Sequence, residues 1–223
     1  MRTASEDVRP FADRREAGQA LGRLLSSYAG RDDVVVLALP RGGVPVGYEV
    51  ARALGAPLDV FLVRKLGVPG HRELAMGALA SGGVRVLDDQ LIRYLGIPEE
   101  AVEAVIREEQ QELARREAAY RDYPPLEVEG KVVLLADDGL ATGSTMKAAV
   151  QAVRQRRPSR IIVAAPVGSN EACSELRRIA DDVVCARVPA RFAAVGQWFL
   201  DFSQTSDAEV LELLDASRRE LRR

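Results

Sequence analysis

Apolar residues run almost without interruption at positions 34–39, 58–63, 132–136, 160–166 and 182–188. Such runs lack the alternation of a half-exposed strand and suit strands covered on both faces. Between them, apolar positions recur at helical spacing. Ala17, Ala20, Leu21, Leu24 and Leu25 predict a helix within residues 13–28, and further helices are predicted over 44–54, 146–156, 170–179 and 207–221, with Gly55 ending the second. Strands alternating with helices predict an α/β fold: a mainly parallel sheet with helices on both faces and ligands beyond the carboxyl ends of its strands. Residues 74–80 form another apolar stretch, with 84–87 as its pairing partner, after a polar segment at 66–73. The longest helical pattern, 98–122, opens with Pro98, Glu99 and Glu100 and carries a narrow stripe of Ala101, Val102, Val105, Ile106, Leu113 and Ala114. It reads as a packed surface helix, although the stripe also suits a contact with a second copy in a homodimer.

The chemistry concentrates where the 132–136 run ends. Asp137 and Asp138 follow it, then Gly139 and the loop Ala141, Thr142, Gly143, Ser144, Thr145, which opens a helix. A glycine-bearing loop at a helix N-terminus brings backbone N–H donors and a partial positive charge to an anion, and the hydroxyls add donors. Two carboxylates beside a phosphate site repel the ligand unless they face a sugar diol or a hydrated metal ion. A ribose phosphate meets both demands. The plain alternative is a strand end followed by an ordinary helix cap. No Walker loop fits, since Gly130-Lys131 precedes a strand, and no G-x-G-x-x-G occurs.

The string VVLLADDGLATGST resembles the phosphoribosyl-pyrophosphate (PRPP) signature of the type I phosphoribosyltransferases. The resemblance implies that Asp137 and Asp138 bind the ribose hydroxyls and, through water, Mg²⁺, while residues 141–145 wrap the 5′-phosphate. A second turn, Pro40-Arg41-Gly42-Gly43, ends the 34–39 run. Taken by itself it is either an ordinary strand-to-helix turn or a close-approach anion site with an arginine fork. In this family the corresponding turn holds pyrophosphate, and Arg41, Gly42 and Gly43 match by position and type. The family also carries a mobile loop over the reaction centre, here residues 66–73, which would bring Arg64, Lys65 and Arg72 to the pyrophosphate charge, with Lys65 and Arg72 in catalysis. His71 is the only histidine and carries no assigned role.

Residues 189–202 hold the only tryptophan and three of the five phenylalanines. They suit either a small cap offering a flat surface to a planar ring or a satellite cluster anchoring the last helix. The stretch also looks like the tail of the 6-oxopurine enzymes, which implies base contacts for Phe192, Trp198 and Asp201. Ala141 stands where those enzymes commonly carry a third acid, so the loop resembles the adenine and orotate enzymes instead. Tail and loop therefore disagree on the base.

Composition narrows the remainder. The 223 residues suffice for one domain, read as a core over about 31–186 with a cap and last helix over 187–223. A net charge of −2 argues against nucleic acid as a partner. Cys173 and Cys185 are too few for a disulfide framework and read as reduced thiols. With no leader visible and no apolar run near a membrane span, the cytoplasm is the expected location. The resemblance implies Mg²⁺-dependent transfer of 5-phosphoribosyl from PRPP to a nitrogenous base. The rivals are a non-catalytic PRPP- or nucleotide-binding regulator of the same fold and an unrelated phosphate-binding domain.

Overall fold

The computed structural model describes residues 9–120 and 123–221, with the side chain of Arg72 left outside the described set. Its centre is a parallel sheet of β1 (Val34–Ala38), β2 (Leu58–Val60), β6 (Val132–Ala136), β7 (Arg160–Val167) and β8 (Asp182–Arg187), in the order β2-β1-β6-β7-β8. Val36 registers with Leu58 on one side and Leu134 on the other, and Leu134 with Ile162. Every residue of β1 and β6 is buried. Alternate residues therefore feed two cores. Val34, Val36, Ala38 and Leu134 pack with α2 (Gly43–Leu54) and α7 (Asp207–Leu221), and Val35, Leu37, Val133 and Leu135 pack with α5 (Ser144–Gln155) and α6 (Asn170–Leu176). This is the expected mainly parallel α/β sheet.

The segment expected as one strand over 58–63 is divided. β2 ends at Val60, Phe61 and Leu62 leave the main sheet, and β3 (Val63–Val68) starts a separate antiparallel sheet with β4 (His71–Ala80) and β5 (Val84–Leu87). The loop expected at 66–73 is instead part of this hairpin: Val68 pairs with His71 around Gly70, whose φ of 78° only glycine adopts readily. Burial explains the regular structure, because Leu66 and Met76 share the large core with Val102 and Ile106 of α4 (Glu99–Tyr120). A short helix, α3 (Asp89–Leu95), went unanticipated although it is marked at both ends. The Asp88 carboxylate accepts the Leu91 N–H, and Gly96 closes the helix in the left-handed region.

Residues 11–12 pair with residues 198–201. Phe11 N–H donates to the Trp198 carbonyl, Leu200 N–H to Phe11 and Asp201 N–H to Ala12, at 2.8 to 2.9 Å. Helix α1 (Arg14–Leu24) starts there, capped by the Asp13 carboxylate, and seats closely on α2. A Cβ on Gly18 would lie 2.8 Å from that of Glu49, and one on Gly22 2.8 Å from that of Ala53. Among the described residues, no helix is long and apolar enough to cross a membrane.

Candidate functional site

Three strand-to-helix turns lie side by side at the carboxyl edge of the sheet. Hydrogen bonds that prolong the ladder set them there: Leu39 N–H to the Ala136 carbonyl at 2.9 Å, Asp137 N–H to Ala164 at 3.2 Å and Leu140 N–H to Val167 at 2.9 Å. The first turn, Pro40 to Gly43, contains a cis Pro40–Arg41 peptide. It fits against the acidic pair because it lacks side chains. A Cβ on Gly42 would come within 2.0 Å of Asp138 Oδ2, and one on Gly43 within 2.9 Å of the Asp137 Cα.

The acidic pair is partly buried at the end of β6. Asp137 Oδ1 accepts the Asp138 N–H at 2.9 Å. Burial pushes the Asp137 carboxyl well above the usual carboxylate range, and the Asp138 charge beside it adds to the rise. Burial raises Asp138 as well, opposed by the guanidinium of Arg14. After Gly139 the chain forms a small concavity of about 150 Å³ lined by residues 139–146 and Asp137. Gly143, at φ 68°, precedes α5, whose first-turn N–H groups lack intrahelical partners. Thr142 Oγ1 and Ser144 Oγ lie 3.0 Å apart, and Ser169 Oγ donates to the Ala141 carbonyl at 2.8 Å. Ala141, Thr142, Gly143, Ser144 and Thr145 thus form an anion-sized cradle over a helix N-terminus.

The structure brings Gly42 and Gly43 to the acidic pair, whereas Arg41 pairs with Asp207 of α7, Nη1 standing 3.8 Å from the carboxylate, and the basic residues of β3 are divided. Lys65 lines a cleft of about 690 Å³ with Ser144, Thr145 and Lys147. Arg64 is held by Glu109 of α4, with Nε 2.6 Å from the carboxylate, and lines a separate concavity with Glu112 and Arg115. Successive strand residues point to opposite faces, which separates these neighbours. The expected position of the Arg72 side chain lies outside the described residues.

At the tail, Phe192 and Trp198 pack with Phe11, Ala17, Val167, Ala186 and Phe199, the arrangement of a satellite cluster. The Trp198 indole nitrogen is buried without a partner among the described residues. Asp201 accepts the Ser203 N–H at 2.9 Å, which holds its carboxyl below the usual range. The cap still touches the motif, since a Cβ on Gly139 would lie 2.4 Å from the Val195 side chain.

Sequence reasoning missed three arginines. Arg14 meets Asp138 with Nε and Nη2 each 2.9 Å from Oδ2. Arg115 and Arg116 of α4 line a concavity of about 410 Å³ with Pro40, Arg41, Tyr120 and Asp207. Both are paired with Glu112, whose carboxyl their hydrogen bonds pull down to about 2. In the sequence, Glu112 with Arg115 and Arg116 reads as helix-surface pairing, and Arg14 carries no signal beyond following a cap. Cys173 and Cys185, read as reduced thiols, converge in the core with sulfurs 3.1 Å apart.

Residues 71–198 match the family described as phosphoribosyl transferase domain. The chain is 46% identical over 213 residues to two Mycobacterium tuberculosis proteins named "Putative phosphoribosyl transferase", Rv0571c and MT0597. The match covers 94% of this chain and 47% of each relative, so the chain spans about half their length. The solved structure of TT1426 from Thermus thermophilus is 44% identical, with a TM-score of 0.82 over 92% of this chain and 97% of that one. With the acidic pair and the 141–145 loop both inside the matched segment, the chain belongs to the phosphoribosyl transferase domain family.

Proposed function

We propose that the chain catalyses Mg²⁺-dependent transfer of 5-phosphoribosyl from PRPP to a nitrogenous base, purine or pyrimidine, with release of pyrophosphate. The observation that carries this reading is the close approach of Gly42 and Gly43 to the acidic pair, right beside the 141–145 cradle. PRPP presents a 5′-phosphate, a diol and a pyrophosphate in matching succession. The cradle takes the phosphate, Asp137 and Asp138 the ribose hydroxyls, and Arg41, Gly42 and Gly43 the pyrophosphate, with Lys65 and Arg72 supplying further positive charge. The C1–O bond to pyrophosphate breaks, a C1–N bond forms and the acceptor nitrogen gives up its proton. No protein nucleophile is required, because positioning and charge stabilisation lower the barrier to an oxocarbenium-like ribose.

Among the described residues, no group of three or more His, Cys, Asp or Glu side chains could hold a metal ion. Two carboxylates, one with an oxygen committed to Arg14, fit an Mg²⁺ carried in on the pyrophosphate and met through water, since this ion prefers six oxygens and keeps its waters. When bound, it would neutralise charge on the leaving pyrophosphate. The cytoplasm, where buried thiols such as Cys173 and Cys185 stay reduced, is the location this reading implies.

The test is pyrophosphate release from PRPP and Mg²⁺ across a panel of purine and pyrimidine bases, beside the Asp137→Asn/Asp138→Asn variant. Release that requires one base and vanishes in the variant supports the reading, and equal release by the variant overturns it. A second reading, a non-catalytic PRPP-binding regulator, is favoured by the packing of Phe199 on Phe202 and Phe11, which leaves the cap aromatics engaged with one another. PRPP binding without release across the panel would select it.

A further inference from the structure

We propose that Arg14 is a ligand-positioning residue of this site. Its guanidinium orients Asp138 and ties the C-terminal segment to the acidic pair, so that affinity for a ribose-bearing ligand depends on that fork. This rests on the PRPP reading above and deepens it.

The whole fork is committed. Nε and Nη2 each lie 2.9 Å from Asp138 Oδ2, Nη1 donates to the Ser203 carbonyl at 2.7 Å, and the guanidinium carbon stands 4.0 Å from the centre of the Phe202 ring. The Arg14 side chain is 12% exposed and that of Asp138 17%, which separates this pair from the exposed ion pairs that contribute little. A planar fork that sets two N–H groups on a carboxylate while lying over a ring is a geometry that arginine supplies and the lysine ammonium does not.

Two features aim Arg14 at the site. It is the first residue of α1, immediately after the Asp13 cap, and α1 is seated by the close approach of Gly18 and Gly22 to α2. The oxygen that Arg14 holds is also the one lying over Gly42. Guanidinium and glycine therefore fix the carboxylate from two sides, and Oδ1 is the oxygen left for a ribose hydroxyl. The same charge offsets one of two adjacent carboxylates, which lowers the repulsion met by a polyanionic sugar phosphate. Through Ser203 and Phe202, Arg14 links the segment that follows the cap to the motif. Three parts of the chain distant in sequence thus meet at one side chain.

The test titrates wild type, Arg14→Lys and Arg14→Ala with PRPP and Mg²⁺, using inorganic phosphate as a probe of the cradle alone. Arg14→Ala is titrated again with millimolar methylguanidinium. Loss of the charged bonds is expected to weaken PRPP binding about tenfold or more in Arg14→Ala. Phosphate affinity should stay at the wild-type level, methylguanidinium should restore part of the PRPP affinity, and lysine, with charge but no fork, should fall between. Unchanged PRPP affinity in Arg14→Ala, or an equal loss for PRPP and phosphate, overturns the proposal. If Arg14→Ala does not fold, the lysine variant decides: selective loss of PRPP affinity supports the proposal and wild-type affinity overturns it. A wild-type chain that binds phosphate but not PRPP overturns the functional reading, and this proposal with it.

Discussion

Replacing Gly42 with alanine tests the geometry at its tightest point. Gly42 has φ −60° and ψ −31°, a conformation that alanine adopts freely, so space alone decides the outcome. The new Cβ would stand 2.0 Å from Asp138 Oδ2 and 2.7 Å from its Cγ, where real Cβ contacts stay above 3.0 Å. The oxygen must give way by about 1 Å, and Arg14 already blocks it with two N–H groups at 2.9 Å. Rotation out of that fork forfeits charge-assisted bonds of about 1.5 to 3 kcal/mol each, with overpacking of about 1 to 3 kcal/mol as the alternative cost. A loss of about 3 kcal/mol follows, which in ligand affinity is on the order of a hundredfold. Urea unfolding reads the stability, and calorimetric titration with PRPP and Mg²⁺ reads the site. The Gly42→Ala/Asp138→Ala variant should cost less stability than Gly42→Ala and Asp138→Ala added together, without regaining affinity, a coupling that separates crowding from general damage. A Gly42→Ala chain within about 0.5 kcal/mol of wild type, with unchanged affinity, would refute the reasoning.

Asp137→Asn/Asp138→Asn should cost about 3 kcal/mol or more in PRPP binding or turnover, measured by titration and pyrophosphate release. Ile106→Ala, at a fully buried position of α4 in the core shared with the hairpin, should lower stability by about 2 to 5 kcal/mol in denaturant unfolding. Tyr120 is pushed up to about 12 by burial and by its hydrogen bond to Asp207. The folded chain therefore keeps a proton that the unfolded chain loses above about 10, and this contribution to stability should fade as pH rises from about 10 to 12. Phenolate absorbance should show that late titration, shifted downward in Asp207→Asn. A small-molecule disulfide oxidant should join Cys173 to Cys185 within one chain, seen as the loss of two hydrogens in intact mass. Disulfide-linked dimers in its place would contradict that placement.

The long apolar runs made the parallel sheet legible, because strands buried on both faces leave no polar alternation to confuse with another element. The loop at 137–145 was legible for a different reason: its acids, glycine and hydroxyls are contiguous, so spacing alone carries the pattern. The hairpin was harder. Residues 66–73 are polar and contain glycine, and only burial of Leu66 and Met76 against α4 explains why they form strands. Arg64 and Lys65 looked equivalent in sequence, and the pleat sent one to Glu109 and the other to the cleft beside Ser144. The aromatic tail left two readings open, and its rings are found packed on Phe11 and on one another.

By itself, then, the sequence determined the α/β class, the two glycine turns and the carboxylate pair, all of which rest on patterns within single elements and the order in which they follow one another. Tertiary structure decided which charges meet. Arg14 reaches Asp138 across 124 positions and Ser203 across 189, because α1 is held close to α2 and the N-terminal segment pairs with residues 198–201. Contacts of that range leave no periodic or local trace, since they arise when separately formed elements pack and bury the same side chain.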